Sequence, residues 1–217
     1  MKKNAKDHAV SPVVGVMLML VVTIIIAAMV ASFTGGLAGE QKAIPQVKLD
    51  VSATASILDT DKTNTEPDYK AGYNPNNGLT FRLLGGDSFH MRDIAVQLKS
   101  GDATITFDTN VYRDTAGGNV DTEKLNVLTG SNGVNETYFA VPKQQDEVIA
   151  LGETFSLLAD GYYDNSLNIT ATKKGQFLCW TPVGGGTFEV QLNVPVEYVV
   201  LDKNSGGRMQ AGTITIR

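Results

Sequence analysis

Residues 13–33, from Val13 to Phe33, run 21 positions without a charge, VVGVMLMLVVTIIIAAMVASF, with Gly15, Thr23 and Ser32 as the breaks in an otherwise apolar text. At about 1.5 Å per residue a helix of this length spans roughly 30 Å, the thickness of a bilayer's hydrocarbon core. Ser11-Pro12 supplies an N-cap residue followed by proline at the first helical position. Pro45 bars regular helix beyond Ile44. The many β-branched residues, among them Val21, Val22, Thr23 and Ile24 to Ile26, make a poor helix in water. In lipid the backbone must satisfy its own hydrogen bonds, so helix is the default there.

From Val47 the period changes to two. Val47, Leu49, Val51, Ala53 and Ala55 alternate with Lys48, Asp50, Ser52 and Thr54, the signature of a half-buried strand. Residues 59–78, rich in Asn, Pro and Gly, read as an exposed loop. Further strands are predicted at Leu79–Leu83, Ile94–Leu98, Ile105–Phe107, Thr154–Leu158, Leu167–Thr172, Gln176–Trp180, Thr187–Val194, Val196–Leu201 and Thr213–Ile216. Gly85-Gly86-Asp87, Ser100-Gly101-Asp102, Gly117-Gly118-Asn119 and Gly130-Ser131-Asn132-Gly133 mark turns, and Pro195 a break or edge. Residues 202–207 read as the loop of a closing hairpin, and residues 109–146 are less regular. Turn signals at roughly 8–12-residue spacing mark an antiparallel sandwich or barrel. The expected fold class is therefore α+β: a long N-terminal hydrophobic helix followed by an all-β, antiparallel, sandwich-like head.

Composition sharpens this picture. The chain has 217 residues and a net charge of -5. The first nine residues hold Lys2, Lys3 and Lys6 against Asp7, which leaves 15 basic and 22 acidic residues in the rest. An acidic head rich in Gly and Thr argues against a nucleic-acid partner. With Cys179 the sole cysteine, no intrachain disulfide is possible, and the chain beyond residue 40 is long enough to build a core without one.

Candidate chemistry is sparse. The histidines are His8 and His90, so a zinc site or a Cys/His nucleophile is not expected. No nucleophile elbow, phosphate loop or dinucleotide fingerprint occurs, and Gly184-Gly185-Gly186 reads as turn material. Asp59-x-Asp61-x-Thr63 resembles the start of a calcium loop, but Asn64 stands where glycine is needed and Lys70 where glutamate is needed. Carboxylates are plentiful and no spacing singles out a pair. No catalytic residue, metal or cofactor is expected. Two N-glycosylation sequons exist, at Asn135 and Asn168; the first lies in a Gly/Asn-rich loop and the second within an expected strand.

The apolar segment has three readings. A cleaved signal peptide normally has an apolar region of about 7–15 residues, and here Met29 stands where a small residue is wanted if the cut followed Ala31. A plain signal anchor would use Lys2, Lys3 and Lys6 to hold the N-terminus in the cytoplasm. The third reading comes from His8-Ala9-Val10-Ser11-Pro12-Val13-Val14-Gly15-Val16, which resembles the N-terminal segment of archaeal type IV pilins, with Val14 for the usual isoleucine. An anchor needs hydrophobicity but has no need of Ser-Pro-x-x-Gly at the cytoplasmic edge. The Gly85-Gly86-Asp87 turn with Met91-Arg92-Asp93-Ile94-Ala95-Val96 as a strand is similar to the family's head region, as is the ending around Tyr198–Lys203 and Ser205-Gly206. Archaellins are close relatives, and the Ser-Pro-x-x-Gly opening favours the pilin branch.

The resemblance implies removal of a leader by a prepilin peptidase, an aspartic membrane protease. The family's preference for a small residue puts the cut between Ala9 and Val10; the preceding Asp7-His8 departs from the pattern, and a cut after His8 is the alternative. The implied organisation is a leader at 1–9, a hydrophobic helix at 10–44 that is membrane anchor and then filament core, and an extracellular β head at 45–217. Thr23, Ala27, Ala31, Gly35 and Gly39 recur every four residues, with Ala28, Ser32 and Gly36 in a parallel row. Such rows let helix backbones approach closely. Val13, Gly15 and Phe33 complete the candidate membrane and filament helix. The implied function is a structural pilin of an adhesive surface filament, single-pass in the cell membrane with a cytoplasmic N-terminus before assembly. Its implied partners are membrane lipid, copies of itself and other pilins, the peptidase, a pilus assembly ATPase and a membrane platform protein. The alternatives are a membrane-anchored extracellular β-domain binding protein that never polymerises and a surface enzyme; only the pilin depends on the cleavage site.

Overall fold

The computed structural model describes residues 12–37, 43–55, 77–113, 126–141, 147–166 and 172–217. The chain forms two compact units, Met1–Lys42 and Ala43–Arg217. In the first, helix α1 spans Pro12–Leu37, beginning at the proline whose fixed φ suits the first helical turn.

The second unit is a β head. Its strands are β1 (Val47–Thr54), β2 (Gly78–Gly86), β3 (Phe89–His90), β4 (Ile94–Ser100), β5 (Ala103–Phe107), β6 (Asn126–Thr129) and β7 (Glu136–Val141). They continue as β8 (Val148–Ile149), β9 (Thr154–Leu158), β10 (Gly161–Asp164), β11 (Gln176–Trp180), β12 (Phe188–Gln191), β13 (Pro195–Asp202) and β14 (Arg208–Thr215). Three larger sheets have the orders β1-β2-β9-β7-β6, β14-β13-β4-β5 and β10-β11-β12, and β3 pairs with β8. Every pairing among the described strands is antiparallel. The expected α+β class, helix followed by an antiparallel sandwich-like head, is the fold observed.

The alternation read from the sequence does the packing. On β1, Leu49 is buried while Lys48, Asp50, Ser52 and Thr54 are exposed. On β2, Leu79, Phe81 and Leu83 point inward. Phe81 stacks on Phe155 of β9 with ring centroids 4.7 Å apart and meets Tyr198 of β13 edge-on at 5.8 Å, which joins the first two sheets face to face. Phe107 of β5 packs on Tyr138 at 5.0 Å and on Trp180 of β11 at 6.2 Å, tying in the third sheet. Each fully buried aromatic contributes on the order of 1.5–3 kcal/mol over exposure.

The sheet edges β1 and β14 are bridged by one side chain. Gln210 accepts a hydrogen bond from the Leu49 amide at 2.6 Å through Oε1 and donates one to the Leu49 carbonyl at 2.8 Å through Nε2. The side-chain amide thus stands in for a backbone rung between two edges that do not pair directly. Nearby, the Asp87 amide donates to the Gln46 carbonyl at 2.8 Å and the Gln46 amide to Asp87 Oδ2 at 2.9 Å. This close approach requires Gly86, at φ +97, since a Cβ there would strike the Gln46 carbonyl oxygen.

Several expected elements differ in detail. Met91–Asp93 forms a 3-10 turn, so the strand begins at Ile94: the His90 ring accepts from the Arg92 amide at 3.4 Å and the Met91 amide donates to the Glu147 carbonyl. The strand expected at Thr187–Val194 stops at Gln191, because the chain turns at Asn193 with φ 63. Pro195 opens β13, where its missing N–H costs no internal rung. The last strand starts at Arg208, earlier than expected. The loop at 59–76 and the turn at 117–119 lie outside the described residues, as does all of Leu167–Thr172 but Thr172, which lies in a bend.

Candidate functional site

All 20 residues from Val13 to Ser32 are exposed in the isolated chain, and they form a helix long and apolar enough to cross a membrane. The large side chains range from 46 % exposure at Val14 to 72 % at Met19. The helix has no polar stripe: the apolar residues are spread around the whole circumference. A helix apolar on every side belongs in lipid or among other helices. Its one hydroxyl in mid-span, on Thr23, donates to the Leu20 carbonyl at 2.8 Å, so that polar group is satisfied without a partner from outside.

Thr23, Ala27 and Ala31 lie on successive turns of α1, about 6 Å apart along its axis. Phe33 and Gly35 fall on the final turns of the same helix. A Cβ placed at Gly15 would meet nothing within 4 Å, so nothing in the described chain demands glycine there. Ala9 and Val10 lie outside the described residues, as do Asn168 and the Asp59–Thr63 stretch. Asn135 is exposed in the turn between β6 and β7.

Residues 8–49 match the family model of the archaeal type IV pilin N-terminal segment. Over that stretch the chain is similar to archaeal type IV pilins. The match runs through α1 and ends at Leu49, three residues into β1. No curated protein matches the chain. The matched segment, which resembles archaeal type IV pilins, thus precedes a β-sandwich head that lies almost wholly outside the match.

Within the head, the structure brings together a buried ionic cluster that no spacing in the sequence reveals. Arg113, 4 % exposed, donates through Nε to Asp160 Oδ1 at 3.3 Å and through Nη2 to the Ala159 carbonyl at 3.4 Å. The other Asp160 oxygen accepts from the Tyr138 hydroxyl at 2.7 Å and the Thr181 amide at 2.6 Å. Burial pushes the Asp160 carboxyl above the usual carboxylate range, outweighing the pull of Arg113, the Thr181 amide and Tyr138. Burial, with the Asp160 charge, raises the Tyr138 phenol as well. These contacts tie β7 to the loop before β10, an arrangement that suits a structural clasp.

His90 sits on the surface beside Glu147, whose carboxylate also accepts from the Arg92 guanidinium. Cys179 is fully buried, and burial holds its thiol well above the ordinary range. Its Sγ donates to the Gly161 carbonyl at 3.5 Å, as befits a packing residue. Among the described residues no cluster of His, Cys, Asp and Glu is arranged to hold a metal ion.

Proposed function

We propose that this protein is a pilin, a structural subunit of an archaeal type IV-like adhesive surface filament assembled through α1. The observation that carries the reading is the helix from Val13 to Ser32, apolar on every side and bearing the pilin N-terminal pattern. In the proposal a prepilin peptidase cuts between Ala9 and Val10, with the N-terminus cytoplasmic and the head outside. An assembly ATPase and a membrane platform protein then draw the subunit from lipid into a bundle of its own kind and of other pilins. The transfer is energetically plausible: the apolar side chains exchange lipid tails for equally apolar helix neighbours, so close packing decides the outcome. Thr23, Ala27, Ala31 and Gly35 form the surface of closest approach. Gly15, where the chain itself leaves open space, is a second such point.

Ala31→Leu tests the packing. The variant is expected to reach the membrane and be cleaved normally, with the mature N-terminus at Val10, yet to give no filaments by electron microscopy of the cell surface. Normal filaments from Ala31→Leu would remove this face from the assembly. An uncleaved wild-type chain on the cell surface would remove the peptidase step.

A further inference from the structure

The tripeptide Asn135-Glu136-Thr137 joins an exposed turn to a buried strand, and its two ends have opposite environments. Residues 131–135 are exposed, and Val134, at 77 %, is the most exposed large apolar side chain among the described residues of the head. Thr137, two residues on, is fully buried. Its Oγ1 accepts from the Phe139 amide at 3.2 Å, and its backbone bridges to Tyr112. The rest of the tripeptide is also engaged. The Asn135 amide donates to Asn132 Oδ1 at 3.1 Å, the Asn135 carbonyl accepts from Gly130 at 2.8 Å, and the Glu136 carbonyl accepts from the Arg113 amide at 3.0 Å.

N-glycosyl transfer reads two groups of the acceptor: the asparagine amide that reacts and the hydroxyl at the second residue beyond it. In the folded head the first is presented to solvent and the second is hidden under a sheet. We propose that Asn135 is glycosylated, and that the saccharide is added before the head folds. The Asn135 amide nitrogen attacks the anomeric carbon of a lipid-phosphate-linked saccharide. The new C–N bond forms as the C–O bond to the lipid phosphate breaks; the electron pair leaves on the phosphate oxygen and the amide proton passes to a base of the transferase. Folding then withdraws Thr137 and leaves the saccharide on the surface, where it covers Val134.

This rests on export of the head, so the test begins by shaving intact cells with protease; failure to release the head would count against export and not against the site. Full-length protein from native cells is then digested and weighed. The peptide containing Asn135 is expected to carry saccharide mass, and Asn135→Gln, an exposed substitution, is expected to lose it while remaining exported. For the timing, unmodified full-length protein in detergent and a synthetic peptide of residues 131–141 are offered to native membranes that supply the transferase and its lipid-linked donor. The peptide is expected to be modified at least about tenfold faster, since access to Thr137 in the folded chain needs local opening. A bare Asn135 peptide from exported native protein overturns the site. Modification of the folded chain as fast as the peptide, or refusal of the peptide alone, overturns the timing.

Discussion

Replacing Asp160 by Asn probes the ionic clasp inside the head. The substitution keeps the side chain's shape but removes the charge that faces Arg113, and the side chains of this pair are only 3 % and 14 % exposed. Breaking such a buried pair from one side strands the remaining ion and costs about 3–5 kcal/mol. For a domain of this size each kcal/mol shifts the melting temperature by about 2–4 °C, so the variant should melt roughly 6–20 °C lower. The paired change Arg113→Met with Asp160→Asn removes both charges and should recover most of the loss. The assay is thermal unfolding of the full-length protein in detergent, followed by near-UV circular dichroism across pH. The folded head binds the Asp160 proton more tightly than the unfolded chain, because burial raises that carboxyl. Its contribution to stability is therefore greatest at low pH and declines as pH rises from the ordinary carboxylate value through the raised folded one. Asp160→Asn should abolish that component of the pH dependence. A cost below about 1 kcal/mol, or a double variant worse than the single, would refute the clasp as a buried ion pair.

Gln210→Leu should cost about 1–3 kcal/mol, because the Leu49 amide and carbonyl lose their partner at a partly buried edge. Hydrogen exchange at the Leu49 amide should accelerate by about tenfold or more, and unchanged protection there would show that Gln210 does not bridge the two edges. Cys179 should resist thiol reagents in the native protein and react only on unfolding, as measured by mass after alkylation with and without denaturant. Rapid native labelling would contradict its burial.

The elements legible in the sequence are those with one wet face or a short apolar run closely bounded by turn residues. Strands β1, β2, β4, β9 and β11 follow simple alternation or short apolar runs between turn residues, and the observed spans lie close to those expected. Strand β7 was not legible because Thr137, Tyr138, Phe139, Ala140 and Val141 are all buried, so both faces are covered and no period of two survives. Strand β10, Gly161-Tyr162-Tyr163-Asp164, hides for the same reason. Strands β3 and β8 are two residues each and are defined only by each other. The N-terminal helix was legible outright, since its signal is composition over a long window and its cap residues are local. The Arg113–Asp160 clasp could not be read because its members lie 47 positions apart and meet only through the fold. The sequons were legible as motifs, but that Asn135 is exposed while Thr137 is buried is a property of the hairpin between β6 and β7.

The central claim is that the segment from Val13 to Ser32 occupies lipid first and then copies of itself. Shearing filaments from native cells and reconstructing them by electron cryo-microscopy tests it most directly, with peptide mass mapping to identify the subunit. The account predicts that this chain is present in the filaments, begins at Val10, and packs α1 in the filament core with Ala27 and Ala31 against neighbouring helices. Recovery of the chain only from the detergent-extracted membrane, with none in the sheared filaments, would contradict it.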